Sequence, residues 1–500
     1  MALFNYTRVM KNIQYSGFFK KPAFILSLLL VIFFLKGLIW VSISPIFQGP
    51  DEQTHYSTIQ FFAEPDEKKL PTVYTPNVPQ DEKSTIDAFH FSEEIIETAK
   101  ITRFDEIKHR DLDSHNFSDS QNGEKEEAMS EKGWKTYIEK YPVRIPKINP
   151  LYYTLSSFIE KLFSSESILF RFFAIRIFSV IIGMGVILLS YFIAIKSGFG
   201  KKAGLLTAAT LSFLPMFSFV STIVNLDILF IFFFSVFTLG ITLIIGRRHI
   251  APGIILGLIG AAMGIITKGP AIILFAVLFP IIIFSIIKNF KFFEKKRLLY
   301  TALISLAIVL LVFFLFSDQF LLVFARSNCT SDFGSFFESV SNYLKKTFSL
   351  NSFQNTSFSY WGYFGWLDAK ISENSLRIIH AIELIAVIGL FKLFFSKEKK
   401  DFLPEKKYLL FFFVMILLLQ AAIRFYDWRS FDCLGEIKIG TPGRYFLPNV
   451  ISHLILVISG IGAFFKKESG FLFALKALVA FSLLFNLYSI LNIIIPRYYL

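Results

Sequence analysis

The sequence predicts an all-α polytopic membrane protein of about 11 transmembrane helices, N-terminus inside and C-terminus outside. Three observations carry this. Of the 500 residues, 54% are hydrophobic. Apolar runs of about 20 residues, the length that crosses a bilayer as helix, recur along the chain. Basic residues collect between those runs, and every cluster falls on one side if the chain alternates, as the positive-inside rule requires. That distribution also answers the net charge of +13. A nucleic-acid binder would gather its lysines on one face, whereas these sit in turns between spans.

The first run, 22–42, is followed by Ile46-Phe47-Gln48 and not by small cleavage-site residues, so it reads as a retained anchor. Arg8, Lys11, Lys20 and Lys21 precede it. Further spans are predicted at 172–195, 203–222, 226–246, 252–266, 271–287, 298–324, 376–395, 408–423, 445–465 and 471–495. The 63 Phe are spread through nearly every span as lipid-facing or core filler. Five segments follow: a tail and first helix at 1–43, a large external loop at 44–170, helices 2–7 at 171–324, an external aromatic loop at 325–375, and helices 8–11 at 376–500. The first external loop should hold a small subdomain, a mobile acidic stretch at 105–131 and an interfacial helix starting at Leu151.

The most informative box is Pro50-Asp51-Glu52-Gln53-Thr54-His55, just after the first span. Adjacent carboxylates are costly near hydrocarbon, which invites a functional explanation. They are also the right chemistry for taking a proton from a hydroxyl. The bland alternative is a helix start, with Pro50 and two acids favouring the dipole. On a helix Glu52 would point about 100° from Asp51, whereas His55, at i+4, would share its face. The predicted topology places other unusual polar residues on the same side: Asn149, Asn225, Asp227, Lys268 and Arg444. Each has a structural alternative, such as an Asp227–Lys268 ion pair or a snorkelling arginine. Together they describe a polar cavity with a proton acceptor and anion-binding cations. Tyr360-Trp361-Gly362-Tyr363-Phe364-Gly365-Trp366 reads first as an interfacial belt, with glycines that permit a tight turn.

The box from Phe47 to His55 resembles the P-D-E-x-x-H signature of a large bacterial membrane-protein family related to the GT-C glycosyltransferases. Further pieces match in family order: Asn149-Pro150-Leu151-Tyr152-Tyr153, Val224-Asn225-Leu226-Asp227, Thr267-Lys268-Gly269-Pro270, the aromatic segment around Trp361, and Gly443-Arg444-Tyr445-Phe446-Leu447-Pro448. Two pieces depart from the pattern. Asn149 stands where the family usually has histidine, and Leu226 interrupts an Asn-Asn-Asp.

The resemblance implies a GT-C-like bundle in the bacterial plasma membrane, with its active site facing outside. It implies transfer of a sugar from a polyprenyl-phosphate donor to a glycan, lipid or protein acceptor, with inversion. Asp51 would be the base, assisted by Glu52 and His55. Lys268, Arg444 and Tyr445 would hold the donor phosphate, and Asn149, Asn225, Asp227 and Trp361 would support the site. The sequence names no cofactor, and no phosphate-binding glycine loop or nucleic-acid partner is indicated. A divalent metal held by Asp51, His55 and another carboxylate is an alternative, although no compact motif such as His-Glu-x-x-His occurs. Other readings are a lipid-linked glycan flippase, a glycan ligase or polymerase, or a scaffold. A flippase would show internal repeats and charges near the bilayer midplane. Cys329 and Cys433 both fall in external loops, where a disulfide or two separate thiols are compatible with the compartment.

Overall fold

The computed structural model describes residues 22–63, 88–104, 107, 137–144, 151–247, 249–289, 333–434 and 441–500. Its helices are α1 (Pro22–Ile43), α2 (Glu52–Ala63), α3 (Glu93–Ile101), α4 (Leu151–Leu162), α5 (Ile168–Ser197), α6 (Lys201–Ser212), α7 (Pro215–Val220), α8 (Asp227–Ile245), α9 (Ile250–Thr267) and α10 (Ile273–Asn289). Then come α11 (Phe333–Thr347), α12 (Leu350–Trp361), α13 (Glu373–Phe395), α14 (Lys406–Leu434), α15 (Val450–Gly462), α16 (Glu468–Ser489) and α17 (Ile495–Tyr499). Two small antiparallel sheets complete it: β1 (Ala88–Ser92) with β2 (Tyr137–Arg144), and β3 (Tyr363–Phe364) with β4 (Ala369–Lys370).

Among the described residues, 8 helices are long and apolar enough to cross a membrane. They coincide with eight of the predicted spans: α1, α5, α8, α9, α13, most of α14, and the segments Gly443–Gly462 and Glu468–Tyr499. The predicted 298–324 span and the acidic stretch 105–131 lie outside the described residues, apart from Ile107. The predicted 271–287 span is a shorter apolar helix that opens as a 3₁₀ turn at Gly269–Ile272.

The 203–222 span is not one continuous helix but α6 and α7, broken before Pro215, which lacks the N–H that a continuous helix would use. Broken helices survive in a bundle only where the freed carbonyls find donors. Here the Lys36 ammonium donates to the Ser212 carbonyl, and Asn486 Nδ2 donates to the Phe213 carbonyl at 3.1 Å. Trp40 Nε1 in turn holds Asn486 Oδ1 at 3.1 Å, so α1 and α16 together brace the break.

Helix pairs in a membrane approach most closely where side chains vanish. α8 and α9 meet at Gly240 and Gly260, where an added Cβ would strike the facing backbone at 2.5 Å. α13 and α15 meet likewise at Gly389 and Gly460. α4, 12 residues long, lies along α2 and is not among the helices long and apolar enough to cross. Glu94 of α3 and Glu160 of α4 both bind Arg171 of α5, which ties the small β1–α3 unit to the bundle.

Candidate active site

The turn between α1 and α2 is strained in two places. Phe47 and Asp51 have φ of 64° and 59°, the left-handed region. For a bulky residue this is an outlier that surrounding packing must enforce. Phe47 is fully buried against Tyr56, Phe104 and Phe172, and its carbonyl accepts from Trp366 Nε1 at 3.0 Å. Asp51 tolerates this backbone better than most residues. Its carbonyl accepts the first helical bond, from His55 N at 2.9 Å. Its carboxylate leaves the helix and is 56% exposed.

Glu52 goes the opposite way. It is fully buried and accepts from Arg176 Nε at 2.8 Å and Nη2 at 2.7 Å, from Gly49 N at 2.9 Å and from Val224 N at 2.8 Å. Four donors leave no acceptor site for a substrate proton. In this arrangement Glu52 is engaged by the fold, whereas the catalytic role expected of it needs a free acceptor. Arg176 spends its remaining donors on the carbonyls of Val41 and Pro45, at 3.1 and 2.9 Å, and on that of Ser44. One ion pair thus pins the turn that presents Asp51.

The other predicted residues converge beside it. Asp227 opens α8, and Asn225 Oδ1 accepts its N–H at 2.7 Å. Lys268, where α9 ends, places Nζ 2.5 Å from Asp227 Oδ1 and 4.2 Å from the centre of the Tyr445 ring. Arg444 arrives on the 3₁₀ segment Gly443–Asn449, positioned because Gly443 N donates to Ser359 Oγ of α12 at 2.5 Å. Its guanidinium is 6% exposed and stands 4.0 Å from Asp51 and 3.9 Å from Asp227. Among the described residues it makes no hydrogen bond, and its Nε is buried without a partner. His55 Nδ1 lies 2.8 Å from the Tyr153 hydroxyl.

Burial pushes the His55 imidazole below its ordinary value, and Lys268 and Arg444 push it further, against Asp51 and Asp227. Burial likewise holds the Tyr153 phenol up, so a neutral phenol shares a hydrogen bond with His55 Nδ1, its direction set by the imidazole tautomer. The sign for stability follows. The unfolded chain binds a proton at about pH 6.5, the folded chain only below that. His55 therefore contributes fully above that value, and the contribution is lost as pH falls through the folded value. His55→Gln should flatten this acid-side loss when thermal unfolding in detergent is followed from pH 8 to pH 5. An unchanged slope would assign the loss to another group.

Trp361 does not join this cluster. It stands with Tyr360 against His453 of α15, ring centres 5.0 and 5.7 Å away, in a separate cavity. Of the aromatic motif's two glycines, Gly365 makes the tight turn with φ 61°, between β3 and β4. Asn149 and Cys329 lie outside the described residues, as does the Cys433 side chain, so the expected bridge and the Asn149 role stay as expectations. Among the described residues no three His, Cys, Asp or Glu side chains are grouped to hold a metal, so Asp51 and His55 have no third ligand there. Sequence reasoning missed Arg171, Arg176 and the Tyr153 partner of His55. The two arginines carried a usable signal: charges inside an apolar span demand buried partners.

Fold and site define an integral membrane protein with a compact charged cluster at one end of a helical bundle. The chain belongs to the family described as "Predicted membrane protein (DUF2142)", whose profile matches residues 33–452. No curated protein matches it. Among solved structures it is similar to ArnT from Cupriavidus metallidurans in the apo state, at 13% identity and TM-score 0.33, over 86% of this chain and 76% of that one. It is also similar to the apo Archaeoglobus fulgidus oligosaccharyltransferase, at 13% identity and TM-score 0.44, over 96% of this chain. It spans 56% of that enzyme's length.

Proposed function

We propose that this protein is a membrane glycosyltransferase that moves a sugar from a polyprenyl-phosphate donor to an acceptor on the outer face, with Asp51 as the base. One observation carries the reading. A guanidinium almost wholly withdrawn from solvent makes no hydrogen bond among the described residues, yet stands within 4.0 Å of an exposed carboxylate. A desolvated arginine that makes no hydrogen bond, and meets two carboxylates only at 3.9 and 4.0 Å, keeps its donors open to an anion, and its planar fork matches phosphate oxygens. The carboxylate beside it is free to take the acceptor's proton as the glycosidic bond to phosphate breaks. Lys268 adds a second cation, oriented by Asp227 and the Tyr445 ring. His55, neutral at pH 7, completes the wall through Tyr153. The loops at this end of the bundle are the ones that the positive-inside rule puts outside, where a lipid-linked donor arrives laterally.

The test is sugar release from labelled polyprenyl-phosphate sugars by the purified chain in liposomes, run beside translocation of a labelled lipid. Translocation without release would replace the enzyme reading with a flippase. Arg444→Lys should weaken binding of a polyprenyl phosphate by about tenfold, because a point charge replaces the fork. Unchanged affinity would take the phosphate away from Arg444. A double-mutant cycle at Asp227 and Lys268 should show coupling, since they touch and share Arg444 as a neighbour.

A further inference from the structure

The cavity beside Trp361 has a volume of about 740 Å³ and walls drawn from α11, α12, α13, α14 and α15. It lies on the other side of the 3₁₀ segment that carries Arg444, with Phe446 and Asn449 in its wall. Its surface is mainly aromatic and aliphatic, yet three polar groups face it without full partners of their own. Arg424 of α14 lies over Phe348 and Phe446, at 4.6 and 5.8 Å, and touches only neutral oxygens, Gln420 Oε1 at 3.2 Å and Thr347 Oγ1 at 3.3 Å. No carboxylate pairs with it among the described residues. Asn449, 4% exposed, donates to the Met415 carbonyl at 2.8 Å while its Oδ1 is buried without a partner. Glu383, in the middle of the 23-residue span α13, stands 3.3 Å from His453 Nε2 and 4.0 Å from His380 Nε2. Among the described residues no hydrogen bond reaches it. Tyr360 holds the far nitrogen of His453, Nδ1, at 2.8 Å.

An ionisable group inside a span marks a ligand path when it faces a cavity. Here one cation lacks an anion, Asn449 Oδ1 lacks a donor, and Glu383 meets only the imidazoles of His453 and His380. A purely isoprenoid chain would satisfy neither acceptor. We infer that this cavity binds an anionic glycerophospholipid with a hydroxylated head group, its phosphate at Arg424, its head-group hydroxyls on Glu383 and Asn449, and a chain along the aromatic walls. The inference is independent of sugar transfer, because it concerns binding of a second lipid at residues that do not touch the Asp51 cluster.

The full chain in detergent is titrated with phosphatidylglycerol, phosphatidic acid, phosphatidylcholine and a polyprenyl phosphate, and retained lipid is counted by native mass spectrometry. Phosphatidylglycerol should be held about tenfold better than phosphatidylcholine, the scale of one charge-assisted contact, and several-fold better than phosphatidic acid, which lacks the hydroxyls. Arg424→Gln should remove the first preference and Glu383→Gln the second, while Arg444→Lys leaves both in place. Equal retention of all four lipids, or retention unchanged in both cavity variants, overturns the inference. Displacement of phosphatidylglycerol by equimolar polyprenyl phosphate also overturns it and gives the cavity to the carrier. If Arg424→Gln fails to fold, the selectivity of the unmodified chain decides alone.

Discussion

Asp51→Asn should lower sugar-transfer turnover by a factor of about 10²–10⁴ while the protein folds and inserts normally. The choice of asparagine matters. Asp51 sits at φ 59°, and asparagine is among the few residues that accept that backbone readily. Its carboxylate is exposed and approaches a cation only at 4.0 Å, so little stability rests on the charge. The substitution therefore removes the base and leaves the turn. Turnover should be measured in liposomes beside the melting temperature and binding of a polyprenyl phosphate. Near-normal turnover in a folded variant would remove Asp51 from the mechanism. Lost turnover with lost donor binding would instead give the carboxylate a part in organising Arg444.

Glu52→Gln, one residue along, should do something different: unfold the protein. Breaking a buried ion pair by removing one partner costs about 3–5 kcal/mol, because the other charge is left in place without compensation. Arg176 is fully buried, and the new amide would set two N–H donors among groups that are already donors. The expected result is a large fall in thermal stability in detergent, with residual activity in proportion to folded protein. A variant that melts normally but has lost turnover would restore Glu52 to the catalytic group and overturn the structural assignment. The contrast between neighbouring carboxylates is the sharpest available test of the proposed division of labour.

Much of the candidate site was legible in the chain. Asp227, Lys268 and Arg444 lie far apart in sequence, yet each interrupts apolar surroundings at the same end of a span. Charges at such positions are expensive, so they are found where other polar groups meet them. Placing span ends on a common side was enough to bring them together. The helix break at Pro215 was less legible, because the 203–222 run carries no charge and hydropathy does not register a missing N–H. That Trp361 lines a cavity apart from the charged cluster was not legible for a similar reason. An aromatic cluster at a membrane interface identifies depth, not which wall of which cavity it lines.

What the sequence by itself determined was the bundle, its apolar helices and the set of polar residues at one end of it. These follow from local quantities: run length, hydropathy and the cost of burying charge. What only the tertiary structure decided was which of two adjacent acids is exposed. Asp51 and Glu52 are chemically near-equal, and their spacing on an ideal helix says only that they diverge. The choice is made by Arg176, 124 positions away along the chain, and by the backbone N–H groups of Val224 and Gly49, which together claim every lone pair of Glu52 and leave Asp51 turned outward on a left-handed residue. A contact between distant segments is satisfied by packing, and no local pattern of residues encodes it.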